Sequence, residues 1–350
     1  MIEREIKRIL LIRRRAMGDA LVTLPAIAQV REAWPEARID LVMDRPFATL
    51  LAGLLPGINI LVFPPPPGSS WLHVLRSGRY DLVIDWLSNP RTALWTILTG
   101  APLRVGYDLR RRWWAYNIRV ARKREAGENL RSFAGENFLD PLRSLGFLPA
   151  PWRGGICAEQ PPEYPSGAVR SSILRWIEEW NSRPGFRVAV VMSATWSAKA
   201  WPKCHIRKLI ARMSAEGMNP VLVTGPGDEA LAMALESDLE ARYWAPATNL
   251  PELSRLLQST ELFVGTDCGV RHLAAGLGVP TVTLFGPTDP GNWNPTTPEH
   301  VSLHVGCDCS PCDLKTCPLP GHPCMSDLSP DMVMEGVSRS LARCETERTL

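Results

Sequence analysis

Residues 261–290, ELFVGTDCGVRHLAAGLGVPTVTLFGPTDP, decide the fold, because they run in order as strand, loop, helix and strand, with glycines at 265, 269, 276 and 278. ELFVG (261–265) and TVTLF (281–285) are short runs rich in β-branched and aromatic residues, whereas Cys268 to Leu277 has helical spacing. A strand, helix, strand unit of this length belongs to a parallel sheet. Backbone N–H groups at the helix start, around Cys268 and Gly269, would point at an anion that the helix dipole favours. His272 lies one turn beyond Cys268 and could face the same anion, although a histidine alone on a helix is more often structural.

The same alternation extends in both directions. Upstream in the second half lie RVAVVM (187–192) and PVLVT (220–224), preceded by a helix from Val169 to Trp180 that carries Val169, Ile173, Trp176, Ile177 and Trp180 on one face. The first half offers IKRILLIR (6–13), IDLVM (39–43), INILVF (58–63) and YDLVIDW (80–86), with ALVTLPAIAQVREAW (20–34) reading as a helix after the first strand. Between them, Pro149, Pro151, Pro161, Pro162 and Pro165 resist regular structure and suit a linker. The expected organisation is α/β, with two Rossmann-like domains at 1–165 and 166–329 facing a central cleft, and a last helix within 330–350 packing back across the linker.

Several residues sit where such sheets place their chemistry. Asp19, after Gly18, follows the first strand at the start of a helix, and reads either as a helix cap or as a catalytic carboxylate. After RVAVVM comes a hydroxyl-rich loop with Thr195 and Lys199, a donor and a point charge suited to a diphosphate, against the bland reading of a solvated loop lysine. PVLVTGPGDE brings Glu229 to a strand end, suited to ribose hydroxyls or to opening a helix, while Asp267 could cap its helix or bind a sugar hydroxyl. There is no Asp-x-Asp pair, no GxxxxGK[ST] loop and no early GxGxxG, which takes away the main support for metal-clamped nucleotide sugars, kinases and dinucleotide oxidoreductases.

Bulk properties narrow the class. A chain of 350 residues, 45% hydrophobic, has material for two cores, and a formal charge of +3 gives no global field for nucleic acid. The amino terminus interrupts its one apolar run with arginines and no apolar stretch is long enough to span a bilayer, so a cytoplasmic address is expected. Nine cysteines, an odd number, argue for reduced thiols. Five of them, Cys307, Cys309, Cys312, Cys317 and Cys324, have spacings that could supply thiolates to a structural zinc or iron–sulfur centre, pair locally or stay reduced.

Together, RAMGDALVTLPAI (15–27), SATWSAKAWP (193–202) and GTDCGVRHLAAGLGVPTVTLFGPTDP (265–290) resemble glycosyltransferase family nine, whose best-known members are the heptosyltransferases of the lipopolysaccharide inner core. The resemblance implies a GT-B fold and an inverting transfer from ADP-heptose to an inner-core acceptor, with no required cofactor. By motif position it implies Asp19 beside Gly18 as general base, Lys199 and Thr195 as diphosphate contacts, Glu229 as ribose contact, and Asp267, Cys268, Gly269 and His272 as sugar and phosphate contacts. Cys268 stands where the family usually has threonine or serine, and Arg271 where it has a small residue, so another nucleotide sugar remains an alternative. So do a non-catalytic sugar-nucleotide-binding module and an epimerase. A run of Arg104, Arg110, Arg111, Arg112, Arg119, Arg122, Lys123 and Arg124, interleaved with Trp113, Trp114 and Tyr116, suits an anionic acceptor or the cytoplasmic face of the inner membrane, or is simply a solvated basic face.

Overall fold

The computed structural model describes residues 5–109, 111–121, 133–149, 161–192 and 195–348, with side chains to 342. The chain divides into two compact units, Met1–Trp152 with Cys157–Pro165, and Arg153–Ile156 with Ser166–Leu350.

The first unit holds a sheet of β1 (Arg8–Ile12), β2 (Arg38–Asp44), β3 (Asn59–Phe63), β4 (Leu82–Asp85), β5 (Leu103–Tyr107) and β6 (Ile118–Val120), in the order β3-β2-β1-β4-β5-β6. Every pairing is parallel. Ile9 to Ile12 are wholly buried, as expected for a central parallel strand covered on both faces. Strand order reverses between β1 and β4, so their carboxyl ends flank the position where doubly wound sheets bind ligands.

Two of these strands are not announced by apolar runs. LRVGY contains an arginine and a glycine, and IRV is a three-residue edge. Arg104 nevertheless fits β5 because its guanidinium turns back onto the Ala115 and Ala101 carbonyls. The single helix expected over 20–34 is two, Met17–Val22 and Leu24–Ala33. Pro25 has no N–H to give to the preceding turn, and the Thr23 hydroxyl donates instead to the Asp19 carbonyl at 2.7 Å.

The second unit contains β7 (Phe186–Val191), β8 (Met218–Leu222), β9 (Leu262–Thr266), β10 (Thr281–Phe285) and β11 (His300–His304), parallel throughout in the order β11-β10-β9-β7-β8. Counted within the unit this is 2-1-3-4-5, the other common doubly wound order, with its reversal between β7 and β9. Gly265 belongs to that junction: a Cβ there would lie 2.2 Å from the Val191 carbonyl oxygen, so β9 closes on β7 only as glycine. The histidines of HVSLH disguise β11, yet His300 is buried against the Thr281 hydroxyl at 3.0 Å.

The last helix, Pro330–Arg348, packs on β10, β11 and the Lys203–Ala215 helix of its own unit, burying Val333, Met334 and Val337 with Val282 and Leu303. Residues 150–160 of the linker that it is expected to cross lie outside the described residues. Among the described residues no helix is long and apolar enough to cross a membrane.

Candidate active site

At the β7/β9 reversal the second unit assembles a buried charge cluster from residues distant in sequence. Lys199 closes a short 3-10 turn after β7, Ser197–Lys199, and Asp267 follows β9. The Lys199 ammonium donates to Asp267 Oδ2 at 2.6 Å and to the Asp267 carbonyl at 3.1 Å. Arg271 donates from Nη2 to Asp267 Oδ1 at 3.0 Å, and the Thr288 hydroxyl donates to Oδ2 at 2.9 Å. Asp267 therefore neither caps the Gly269–Gly276 helix nor faces solvent; the cap position is Cys268, which makes no side-chain cap bond.

Charge and burial compete at this cluster. Burial alone would raise the Asp267 pKa, but the Arg271 and Lys199 charges outweigh it and hold the carboxyl far below the usual range. Burial, followed by the Arg271 charge, pushes His272 well below the ordinary imidazole range, and its ring packs edge-on to Trp293 at 6.1 Å. Burial likewise pushes the Cys268 thiol up. With 13% of its side chain exposed, Lys199 is not a solvated loop lysine.

Thr195 is exposed in the same loop, and Gly269 begins the helix beside Cys268. Glu229 opens the Glu229–Glu236 helix after β8, exposed, with Oε1 accepting from the Gly227 N–H at 3.1 Å, which lowers its pKa. Gly227 has φ +99°, a conformation that glycine adopts without strain. Lys199, Asp267, Cys268, Gly269 and His272 thus share one sheet junction, with Glu229 beyond the neighbouring strand.

In the first unit, Asp19 lies within the Met17–Val22 helix rather than capping it; the cap position is Ala16. Its carboxylate pairs with Arg13 at 3.1 Å and stays 36% exposed, while Arg13 is 6% exposed. Gly18 precedes it, half-buried. Across the same junction Asp85, which sequence patterns did not single out, is fully buried at the end of β4. It accepts from the N–H groups of Leu87 and Ser88 and from the Tyr116 hydroxyl at 2.8 Å. Burial raises its pKa against those bonds, and also pushes the Tyr116 hydroxyl up.

The basic segment does not act as one patch. Arg104 is spent on backbone carbonyls, Arg112 donates to the Ser88 carbonyl, Arg119 pairs with Asp108 at 3.6 Å, and Tyr116 is buried. Trp113 and Trp114 remain 63% and 43% exposed, next to exposed Arg111. Arg110, Arg122, Lys123 and Arg124 lie outside the described residues.

The cysteine-rich segment supports the Lys199 loop from behind. Ala198 donates its N–H to the Lys315 carbonyl at 3.1 Å, and His322 Nε2 donates to the Ala198 carbonyl at 2.7 Å. Cys307 and Cys309 sulfurs are 3.7 Å apart, and burial with the surrounding thiols pushes Cys324 up to about 12. Among the described residues no three histidine, cysteine or acidic side chains are arranged to hold a metal ion.

Comparison with known proteins adds the family context. Residues 178–322, which include this cluster, match the family model for glycosyltransferase family 9 (heptosyltransferase). The chain is 29% identical to lipopolysaccharide heptosyltransferase 1 of Pseudomonas aeruginosa over 335 residues, covering 89% of this chain and 87% of that protein. Among solved structures it resembles ADP-heptose lipopolysaccharide heptosyltransferase II of E. coli, with a TM-score of 0.72 at 21% identity over 97% of this chain and 99% of that one. It also resembles a family 9 glycosyl transferase from Veillonella parvula, with a TM-score of 0.76 at 19% identity over 96% and 97%. The two doubly wound sheets described above are accordingly those of the GT-B fold, and the second of them carries the match to glycosyltransferase family 9.

Proposed function

We propose that the protein is an inverting heptosyltransferase that moves a heptose from ADP-heptose to a lipopolysaccharide inner-core acceptor. The observation that carries this reading is the Lys199–Asp267 cluster beside the start of the Gly269–Gly276 helix, a fixed positive site at the mouth of a doubly wound sheet. An ammonium has three N–H donors, and Asp267 engages two, so Lys199 is oriented and keeps one for a phosphate oxygen.

In the transfer, the acceptor oxygen forms a bond to the anomeric carbon as the bond from that carbon to the diphosphate oxygen breaks. The electron pair leaves on ADP, and Asp19 takes the acceptor's hydroxyl proton. Lys199, the Thr195 hydroxyl and the helix start at Cys268 and Gly269 stabilise the charge that accumulates on the diphosphate. Glu229 holds the ribose hydroxyls, while His272 contacts the phosphate and Asp267 acts chiefly by fixing Lys199. This assignment compensates the diphosphate with protein groups, requires no cofactor and uses no nucleic acid. The cysteine segment serves the architecture of the Lys199 loop, and no step runs through it.

Exposed Trp113 and Trp114 beside Arg111 suit the headgroup region of an anionic leaflet, consistent with work at the cytoplasmic face of the inner membrane on a lipid-anchored acceptor. The test is release of ADP from ADP-heptose by the purified protein, with and without truncated lipopolysaccharide core. Release that depends on acceptor supports the transferase. Binding without turnover returns a sugar-nucleotide-binding module, and acceptor-independent release returns an epimerase.

A further inference from the structure

Arg271 lies in the helix that follows β9, and its side chain has 0% exposure. Nη2 lies 3.0 Å from Asp267 Oδ1 and 3.1 Å from His272 Nε2, while Nε and Nη1 have no hydrogen-bond partner. The guanidinium sits 5.8 Å from the centre of the Phe285 ring, and Thr283 on the same strand also has an unpartnered hydroxyl. A guanidinium placed this deeply is kept only by what it holds in place, since a buried charge with unmet donors is costly.

What it holds follows from donor chemistry. Arginine has five N–H donors, no acceptor and no neutral form in proteins. At 3.1 Å, His272 Nε2 must therefore be the acceptor, which puts the ring proton on Nδ1; a protonated ring would oppose donor to donor beside a permanent charge. The charged groups bearing on the ring are Arg271 from its own helix, Asp267 from the preceding loop and Lys199 from the turn after β7. Of the other elements packed against this helix, Pro290–Trp293 gives the Trp293 edge and has Asp289 at its start, accepting from the Gly291 N–H; β10 carries Thr283 and Phe285; and the Leu250–Gln258 helix carries Glu252, bound by Arg170, and Arg255.

We propose that Arg271 is a positioning residue of the donor site: it fixes His272 as the neutral ring protonated on Nδ1 and serves as the permanent buried charge beneath the departing diphosphate. Its action on the diphosphate rests on the donor reading above, whereas the ring state does not. Arg271 is also a second counter-charge for Asp267, so the buried carboxylate stays paired while Lys199 shares its charge with phosphate.

The experiment is a long-range proton–nitrogen correlation spectrum of the ¹⁵N-labelled full chain, with His272 identified by its loss in His272→Gln, followed by ADP titrations of Arg271→Met and Arg271→Gln. The wild-type ring should show an Nδ1–H neutral pattern from pH 8 down to 5.5. Arg271→Met should weaken ADP binding at pH 8 by about tenfold, the scale of one lost charge contact. The ratio of variant to wild-type Kd should then shrink as pH falls to 6, because His272 now protonates and replaces the charge; taking the ratio cancels the titration of ADP itself. Arg271→Gln, which keeps a donor without the charge, should keep the ring state at pH 8 and show the same recovery.

An Nε2–H ring in the wild type, or titration in the ordinary imidazole range, overturns the proposal, and that spectrum decides even if the variants fold poorly. A constant Kd ratio overturns the charge role. An Nδ1–H ring in a chain that binds no ADP strikes out the donor reading and the charge role with it, whereas an Nε2–H ring in a chain that binds ADP strikes out Arg271 alone.

Discussion

Two aspartates lie at sheet reversals, Asp19 in the helix that follows β1 in the first unit and Asp267 directly after β9 in the second. Asp19 is 36% exposed with one cation, Arg13, at 3.1 Å, while Asp267 is 6% exposed with Lys199, Arg271 and Thr288 all donating to it. One carboxylate is therefore open to solvent and the other is committed to holding cations. Position at a sheet junction nominates a residue, and its partners decide what it can do.

The difference is broken most severely at Asp19. Asp19→Ala should cut turnover by about 10²–10⁴, the range of a lost general base, while ADP affinity stays near wild type. Turnover within threefold of wild type would remove Asp19 from the chemistry. Asp267→Ala should do the reverse, lowering stability by about 3–5 kcal/mol because it strands two buried cations, and weakening ADP binding through a displaced Lys199. An unchanged denaturant midpoint would contradict the cluster as described.

Acid sharpens the contrast more gently. Burial lowers His272 and brings His300 to about 4, so the folded second unit binds fewer protons than its unfolded chain below the usual histidine value of about 6.5. Stability should fall as pH drops from 6.5 toward 4, and His300→Asn should flatten part of that slope. Asp267, with a depressed pKa, adds its own loss only below about 4. The first unit has only exposed His73, and its buried Asp85 has a raised pKa, whose protonation favours the folded state as pH falls. Hydrogen exchange across this window should therefore report the second unit opening first. The smallest effect belongs to Cys268: Cys268→Ser supplies a cap hydroxyl where none bonds now and should stabilise by about 0.5–1 kcal/mol, with ADP affinity changed less than threefold.

Legibility from sequence followed the same divide. The long apolar runs behind β1, β2, β4, β7, β9 and β10 were readable because central parallel strands must be apolar on both faces. β5, β6 and β11 were not, since their polar residues are neutralised by partners far away in sequence, such as Ala115 for Arg104 and Thr281 for His300. Lys199, Asp267 and His272 could be nominated from loops at strand ends. That Asp267 is closed off by Arg271, or that Asp85 is paired with Tyr116, depends on where side chains meet across 4 and 31 residues and on burial that no local pattern encodes.

The tie between Ala198 and both Lys315 and His322 has a consequence for how the protein is made. The turn that carries Lys199, the proposed phosphate contact, is braced by chain synthesised more than a hundred residues later, so a ribosome-bound intermediate could complete β7, β8 and β9 and still lack its brace. Such long-separation contacts form late. Synthesis then proceeds with the sugar-nucleotide pocket unfinished until nearly the whole polypeptide has emerged, and a premature stop before His322 would yield a sheet without a working grip on its ligand.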